Sequence, residues 1–289
     1  MLESTPGSTL GSTLGSTRSW LYVPAHRIEL LAKAYAGATD AVVLDLEDAV
    51  PGPAKELARH HAVAAVAAGQ PKPLWVRINS PDGPWGEADL AALAGTAAGG
   101  LRLPKAERPD RVRAVAETTG LPVHAIIESA LGVENAFEIA VAHPLVAVLS
   151  LGEADLMANL RLRDRSALDW ARQRVVNASR AAGRPSPPLS AWTDVADLGG
   201  LAADTARARE RGFFGRSVLH PKQVDVVNRL FTPEPAEVAD ARARLDGHRV
   251  QDESAWLDDR GRFVDPALIA NARWLVDLAD ALEKRSAGA

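Results

Sequence analysis

Short apolar runs alternate with longer stretches of helical period from Ser19 onward. Such alternation is typical of βα units arranged around a parallel sheet. The apolar runs predict eight strands, at residues 20–24, 41–45, 74–79, 100–105, 122–129, 145–152, 188–192 and 217–221. Eight such units predict a closed (β/α)8 TIM barrel. The seventh run is the least typical strand, because Pro185, Pro187 and Pro188 crowd its start and proline cannot donate to a ladder.

Helices are predicted between these strands, at residues 28–36, 54–68, 108–118, 132–141, 167–182, 200–211 and 222–230. Their alanine richness suits helices that pack closely on the outside of a barrel. Beyond residue 230 a break precedes two further helices, at 236–246 and 267–282, with a short hairpin between them. We therefore expect a low-complexity, flexible tail over residues 1–17, the barrel over 18–230 and a C-terminal helical extension over 231–289.

The ends of the predicted strands carry ionisable groups. The run at 41–45 opens into three carboxylates, Asp45, Glu47 and Asp48. Since a barrel gathers its active site at the carboxyl ends of its strands, these acids are candidates for chemistry. They equally suit a cap on the next helix, because two prolines follow them and acids favour helix N-termini.

Three further strand ends point to the same rim. Arg77 ends the third predicted strand, Glu128 the fifth, and Asp155 follows the sixth. Glu128 and Asp155 are expected at one height on adjacent strands, where two carboxylates suit a hard cation such as Mg²⁺, with Mn²⁺ as the next candidate. Arg77 beside them is suited to bind a substrate carboxylate or developing negative charge, or to form a salt bridge with Glu47 or Asp48.

Composition limits the partners. A net charge of −4 provides no basic surface for nucleic acid or an anionic membrane, so a small molecule is the expected ligand. The absence of cysteine excludes disulfides, thiolate metal sites and a cysteine nucleophile. With neither a signal sequence nor a run of about eighteen apolar residues, the chain is predicted to be cytoplasmic.

Six segments, read in order, carry a family resemblance: Asp45-Leu-Glu-Asp-Ala-Val50, Val76-Arg-Ile-Asn79, Leu103-Pro-Lys105, Ile127-Glu-Ser129, Leu151-Gly-Glu-Ala-Asp155 and Leu219-His-Pro-Lys-Gln223. Together they resemble the citrate lyase beta-subunit family of the HpcH/HpaI aldolase superfamily, which includes malyl-CoA and citramalyl-CoA lyases. The resemblance implies a (β/α)8 barrel, a Mg²⁺-dependent lyase acting on CoA thioesters, and a homotrimer or dimer of trimers.

The resemblance also implies roles for individual residues. Glu128 and Asp155 would be the protein ligands of Mg²⁺, and Arg77 would contact the substrate near the bond that breaks. Glu47 and Asp48 would hold metal-bound waters and orient Arg77.

Two regions are implied to complete the site. Arg18, His26, Arg27 and Lys33 lie where relatives bind the phosphates or adenine of CoA. Asp265 would be an acid/base that the extension supplies to a neighbouring subunit. Without the resemblance, Asp265 before Pro266 is a helix N-cap.

The implied reaction cleaves a 3-hydroxyacyl-CoA into acetyl-CoA and a 2-oxo acid, or runs in reverse, with malyl-CoA or citramalyl-CoA ahead of a citryl thioester. Alternatives are a CoA-independent aldolase of 2-oxo acids, an acyl-CoA thioesterase and a non-catalytic binding subunit.

Overall fold

The computed structural model describes residues 13–251, 255–258 and 261–287. The chain divides into two compact units. Residues 17–229 form an α/β unit, and residues 13–16 together with 230–287 form a smaller one.

The α/β unit is built on a sheet of seven parallel strands in the order β6-β5-β4-β3-β2-β1-β7. The strands are β1 Ser19–Pro24, β2 Ala41–Asp45, β3 Leu74–Arg77, β4 Gly100–Leu103, β5 Val123–Ile127, β6 Val146–Leu151 and β7 Arg216–Val218. Every residue of β2, β4 and β5 is buried, as expected for strands covered on both faces.

Helices follow most strands and confirm the predicted βα alternation. They are α1 Glu29–Ala36, α2 Lys55–Ala67, α3 Gly86–Leu93, α4 Pro109–Thr119, α5 Ala130–Glu134, α6 Ala136–Ala140, α7 Glu153–Leu160, α8 Asp169–Ala181, α9 Leu198–Arg209 and α10 Pro221–Phe231. The single helix predicted at 132–141 is divided at Asn135 into α5 and α6.

The sheet curls strongly. In a flat sheet β4 and β7, which lie four strand positions apart, would be about 19 Å from each other. Nevertheless Arg102 Nη1 of β4 donates to Ser217 Oγ of β7 over 3.1 Å. The rings of Trp20 on β1 and His124 on β5 likewise lie 5.5 Å apart. The curvature brings the inner side chains of distant strands together.

The predicted strand at 188–192 is wrong. In the described part of the chain this segment contributes one isolated bridge, Leu189 to Arg216, and no ladder to β6. Pro185, Pro187 and Pro188 explain the difference, because each removes a backbone donor and restricts its neighbour. The sheet is therefore a curled half-barrel, and the described residues do not close it into the predicted eight-stranded barrel.

Strand register places four residues near the carboxyl ends of the strands in one row. Pro24 of β1 pairs with Asp45 of β2, Asp45 with Arg77 of β3, and Arg77 with Arg102 of β4. Paired residues of parallel strands point to the same face of the sheet. One carboxylate and two guanidinium groups therefore meet at this level.

The smaller unit contains two long helices, α11 Pro235–Gln251 and α12 Pro266–Ala287, which pack against each other, and a hairpin of β8 Trp256–Leu257 and β9 Phe263–Val264. Trp256, Val264 and Ile269 form its apolar cluster, with Leu245 packed against them. An ion pair of 2.8 Å joins Arg242 to Asp280.

No helix in the described ranges has the length and apolar character needed to cross a membrane.

Candidate active site

Arg77 is the centre of the acidic rim. Its Nε and Nη2 donate to the two carboxylate oxygens of Asp45 over 2.7 and 2.6 Å. Its Nη1 lies 2.9 Å from Glu47 Oε2 and 3.0 Å from Asp48 Oδ2. One guanidinium thus contacts three carboxylates, so that the salt bridge expected from the sequence forms and the cluster retains excess negative charge.

Burial and charge shift the pKa values within this cluster. Burial by itself lowers the pKa of Arg77, but hydrogen bonds and charge from Asp45, together with neighbouring groups, outweigh it and hold this pKa well above its ordinary value. Burial raises the pKa of Glu47 to about 8, even though Arg77 acts to lower it. The raised pKa therefore reflects mainly the removal of Glu47 from water, which the shared charge of Arg77 does not offset.

Hydrogen bonds from Lys55 stabilise the loop that carries these acids. Its Nζ donates to the carbonyl oxygens of Leu46 and Glu47 and to Asn79 Oδ1, each over 2.7 Å. Asn79 in turn donates to Asp89 Oδ2 over 2.7 Å. These bonds fix the backbone between Asp45 and Asp48, so the carboxylates are presented by a rigid turn.

Glu128 follows β5 and enters the same region. Its Oε1 accepts the backbone N–H of Lys105 over 2.6 Å. Burial and the charge of Asp155 raise the pKa of Glu128 to about 7 despite that hydrogen bond. Gly152 leaves room for this carboxylate, because a Cβ at that position would lie 2.4 Å from Glu128 Oε2.

Asp155 lies in the first turn of α7 and is exposed. Glu128 and Asp155 offer carboxylate oxygens, and the charge of Asp155 raises the pKa of Glu128. This pair of donors fits a hard divalent cation. Within the described ranges no group of three His, Cys, Asp or Glu side chains is placed to hold a metal. A bound ion would therefore take two protein carboxylates and complete its coordination with water or ligand oxygens.

A cavity of about 510 Å³ opens at this rim. Its walls bring together Asp45, Asp48, Arg77, Glu128 and Asp155, all of which the sequence places at the site. Hydroxyl groups line it as well, from Ser150, Ser190, Thr193 and Ser217. The size suits a small organic ligand.

Arg18 is not brought to this cavity. It precedes β1, at the amino end of the sheet, and its Nη2 and Nε bind Asp40 over 2.8 and 2.9 Å. The active-site rim lies at the opposite, carboxyl end of the strands. In this structure Arg18 binds Asp40, and its predicted contact with CoA stays a prediction.

Two other residues predicted to contact CoA, His26 and Arg27, lie at the carboxyl end of β1. His26 and Arg27 form a short 3-10 helix directly after Pro24, which lines the cavity. Arg27 is exposed and pairs with Glu29 over 3.2 Å. Lys33 is exposed in the last turn of α1.

Asp265 belongs to the smaller unit. Its Oδ1 accepts the N–H of Leu268 over 2.9 Å, which is the N-cap of α12 that a carboxylate before proline predicts. Its predicted role at a neighbouring subunit's site stays a prediction.

Sequence reasoning did not identify Lys55, Tyr22 or Arg102 as parts of the site. Tyr22 places its ring 5.0 Å from the Arg77 guanidinium carbon and lines the cavity. Lys55 begins α2, where a cation is disfavoured by the helix dipole, and Arg102 interrupts an apolar strand. Both anomalies were visible in the sequence.

A curled parallel sheet with buried carboxylates and a fixed arginine at the carboxyl ends of its strands defines an α/β protein with a small-molecule site. Residues 18–221 match the family described as HpcH/HpaI aldolase/citrate lyase, and the chain belongs to this family, as its motifs predicted.

Relatives of known name span nearly the whole chain. A (3S)-malyl-CoA thioesterase of Cereibacter sphaeroides is 34% identical and aligns over 92% of this chain and 95% of its own length. The citrate lyase subunit beta of Escherichia coli is 29% identical over 91% and 93%. The structure is also similar to that of CitE from Mycobacterium tuberculosis in complex with magnesium, acetoacetate and coenzyme A. That chain is 32% identical, with a TM-score of 0.78 and coverage of 92% of this chain and 98% of that chain.

The Gly152→Ala variant tests the carboxylate cradle. Because the new Cβ would clash with the Glu128 side chain and displace its carboxylate, we expect Mg²⁺ affinity to fall about 10- to 100-fold, as is typical when the support of a metal ligand is disturbed. The measurement is the rise in Tm on titration with Mg²⁺. Gly199→Ala in α9 is the matched control, since its Cβ would lie at an ordinary 3.7 Å from Asp197 Oδ1. An unchanged titration in Gly152→Ala contradicts the placement of the metal.

The Lys55→Met variant tests the support of the acidic loop. Loss of three charge-assisted hydrogen bonds leaves buried acceptors unsatisfied, and we expect the free energy of unfolding to fall by about 3 kcal/mol. Urea unfolding measures this. Lys33→Met removes an exposed lysine and is expected to change stability by less than about 0.5 kcal/mol. Equal effects of the two substitutions would refute the role of Lys55.

Proposed function

We propose that the protein is a Mg²⁺-dependent carbon–carbon lyase that cleaves a 3-hydroxyacyl-CoA into acetyl-CoA and a 2-oxo acid, or catalyses the reverse condensation. Malyl-, citramalyl- and citryl-CoA are the candidate substrates. The observation that carries the proposal is the convergence of Glu128 and Asp155 with the fixed Arg77 in one cavity. The magnesium and coenzyme A bound to the CitE relative support it.

In this proposal Glu128 and Asp155 would hold the Mg²⁺ ion, which would act as a Lewis acid on a hydroxyl group and the carboxylate beside it. The hydroxyl proton passes to a carboxylate of the rim, and the adjacent C–C bond breaks. Its electrons are left on the thioester as an enolate, while the hydroxyl carbon becomes the carbonyl of the 2-oxo acid.

Arg77 stabilises negative charge on the reacting oxygens, because its guanidinium remains charged and faces the cavity. Glu47 and Asp48, which contact Arg77 Nη1, would orient Arg77. They would also hold water beside the ion. Asp265 of a neighbouring copy protonates the enolate carbon to give acetyl-CoA, which requires the proposed homotrimer or dimer of trimers. His26, Arg27 and Lys33 contact CoA in this proposal.

A thioesterase is the second candidate, and the similarity to the (3S)-malyl-CoA thioesterase favours it. The same ion would then activate water toward the thioester carbonyl, and the products would be free CoA and a hydroxy acid. An aldolase that does not use CoA and a non-catalytic subunit have no comparable observation in their favour.

Mass spectrometry of the products separates these functions. We expect the wild-type protein with Mg²⁺ to release acetyl-CoA and a 2-oxo acid from malyl-, citramalyl- or citryl-CoA, and to release neither in the presence of a chelator. Free CoA with an intact hydroxy acid would instead establish the thioesterase.

The Glu128→Gln variant is the matched test of the metal site. Loss of a ligand removes several kcal/mol of charge stabilisation, so turnover is expected to fall by about 100-fold or more with the fold retained. Glu117→Gln on α4 makes the same chemical change at an exposed position and is expected to retain full activity. If none of the three thioesters is consumed, the proposed function is refuted.

A further inference from the structure

Arg102 is a second arginine of the cavity, in the middle of β4. It is 1% exposed, lines the cavity and pairs in register with Arg77 on β3 and His124 on β5. The neighbouring strands β3 and β4 thus place two guanidinium groups side by side in the wall of one cavity.

The contacts of Arg102 provide no counter-charge. Its Nη1 donates to Ser217 Oγ over 3.1 Å, its Nη2 lies 3.4 Å from His124 Nε2, and its buried Nε has no partner among the described residues. The rings of Trp20 and Tyr22 lie 5.4 and 5.2 Å from its guanidinium carbon. Within the described part of the chain no carboxylate lies at ion-pair distance from it.

The two other buried arginines of the described residues, Arg172 and Arg216, are neutralised. Arg172 Nε lies 2.9 Å from Glu153 Oε1, and Arg216 Nη2 lies 2.7 Å from Asp204 Oδ2. A buried charge without a partner is costly, and proteins rarely retain one unless a ligand compensates it. Burial lowers the pKa of Arg102 from its ordinary value, which reflects that cost.

The positive charge of Arg77 is shared with the carboxylates of Asp45, Glu47 and Asp48, which its three nitrogens contact, so a second anion of the ligand has to be bound elsewhere. Arg102 is therefore the cavity cation that lacks a carboxylate in the described residues. Its fork of donors suits a planar carboxylate, and the adjacent Ser217 hydroxyl offers a further hydrogen bond.

We propose that Arg102 and Ser217 form an anion subsite for a second carboxylate of the ligand, distinct from the carboxylate beside the reacting hydroxyl. This inference rests on the proposed function. It narrows the acyl group to one with two carboxylates, so that the 2-oxo product is a dicarboxylic acid. Citryl-CoA has this property, whereas citramalyl-CoA carries a methyl group in place of the carboxymethyl group.

Calorimetry with two product acids in the presence of Mg²⁺ tests the subsite. Pyruvate and freshly dissolved oxaloacetate differ only in the second carboxylate. We expect wild-type protein to bind oxaloacetate about 10- to 100-fold more tightly than pyruvate, the range of one charge-assisted contact. Arg102→Met should remove this preference and leave the affinity for pyruvate within about twofold.

Two variants control the measurement. Arg113→Met removes an arginine of α4 that donates to Ala142 O over 2.9 Å, away from the cavity lining, and should keep the full preference. Arg102→Lys keeps the charge without the fork and should retain only part of it. Circular dichroism checks the fold of each variant.

The outcomes separate the two proposals. Equal binding of both acids by wild-type protein, or an unchanged preference in Arg102→Met and Arg102→Lys, overturns the subsite while the proposed function stands. If neither pyruvate nor oxaloacetate binds in the presence of Mg²⁺, both proposals are overturned. The comparison of oxaloacetate with pyruvate on wild-type protein needs no variant, so equal binding would overturn the subsite even if Arg102→Met does not fold.

Discussion

The site depends on the ion pair between Arg77 and Asp45. Both oxygens of a fully buried carboxylate accept from one guanidinium, a fork geometry that is shorter and stronger than ordinary hydrogen bonding. The pair joins β2 to β3 at the level where the strands end. Since Glu47 and Asp48 share the same cation, the rim remains negative even with Arg77 in place. A divalent ion would relieve that imbalance, which links the stability of the rim to metal binding.

The rim is supported from two directions. On one side Lys55 ties the acidic loop to Asn79. On the other, Glu153 at the start of α7 is bound by Arg172, and this pair orders the turn that leads to Asp155. Such supporting contacts hold the groups of a site within the narrow range of geometry that chemistry requires. They also explain why so many charged side chains of this chain are buried.

The two arginines of the row differ in their surroundings rather than in their position. Arg77 is surrounded by carboxylates, whereas Arg102 lies against aromatic rings, a hydroxyl and an imidazole. The imidazole stays uncharged, because burial and the charge of Arg102 hold the pKa of His124 well below its ordinary value. An arginine therefore has a different role on each of two neighbouring strands. Arg77 on β3 is fixed within the acidic rim, whereas Arg102 on β4 is available to bind an anion.

Local pattern determined seven of the eight predicted strands, most of the helices, the family and the carboxylates at the ends of β2, β5 and β6, because burial periodicity and strand-end polarity depend on neighbours in the sequence. The sequence did not determine that residues 188–192 would form one bridge to β7 and no ladder to β6. Nor did it determine that Arg18 would bind Asp40 at the far end of the sheet, or that Arg102 would reach Ser217. Those pairings depend on strand register and curvature, which only the tertiary structure sets, since they bring together residues as much as 115 positions apart.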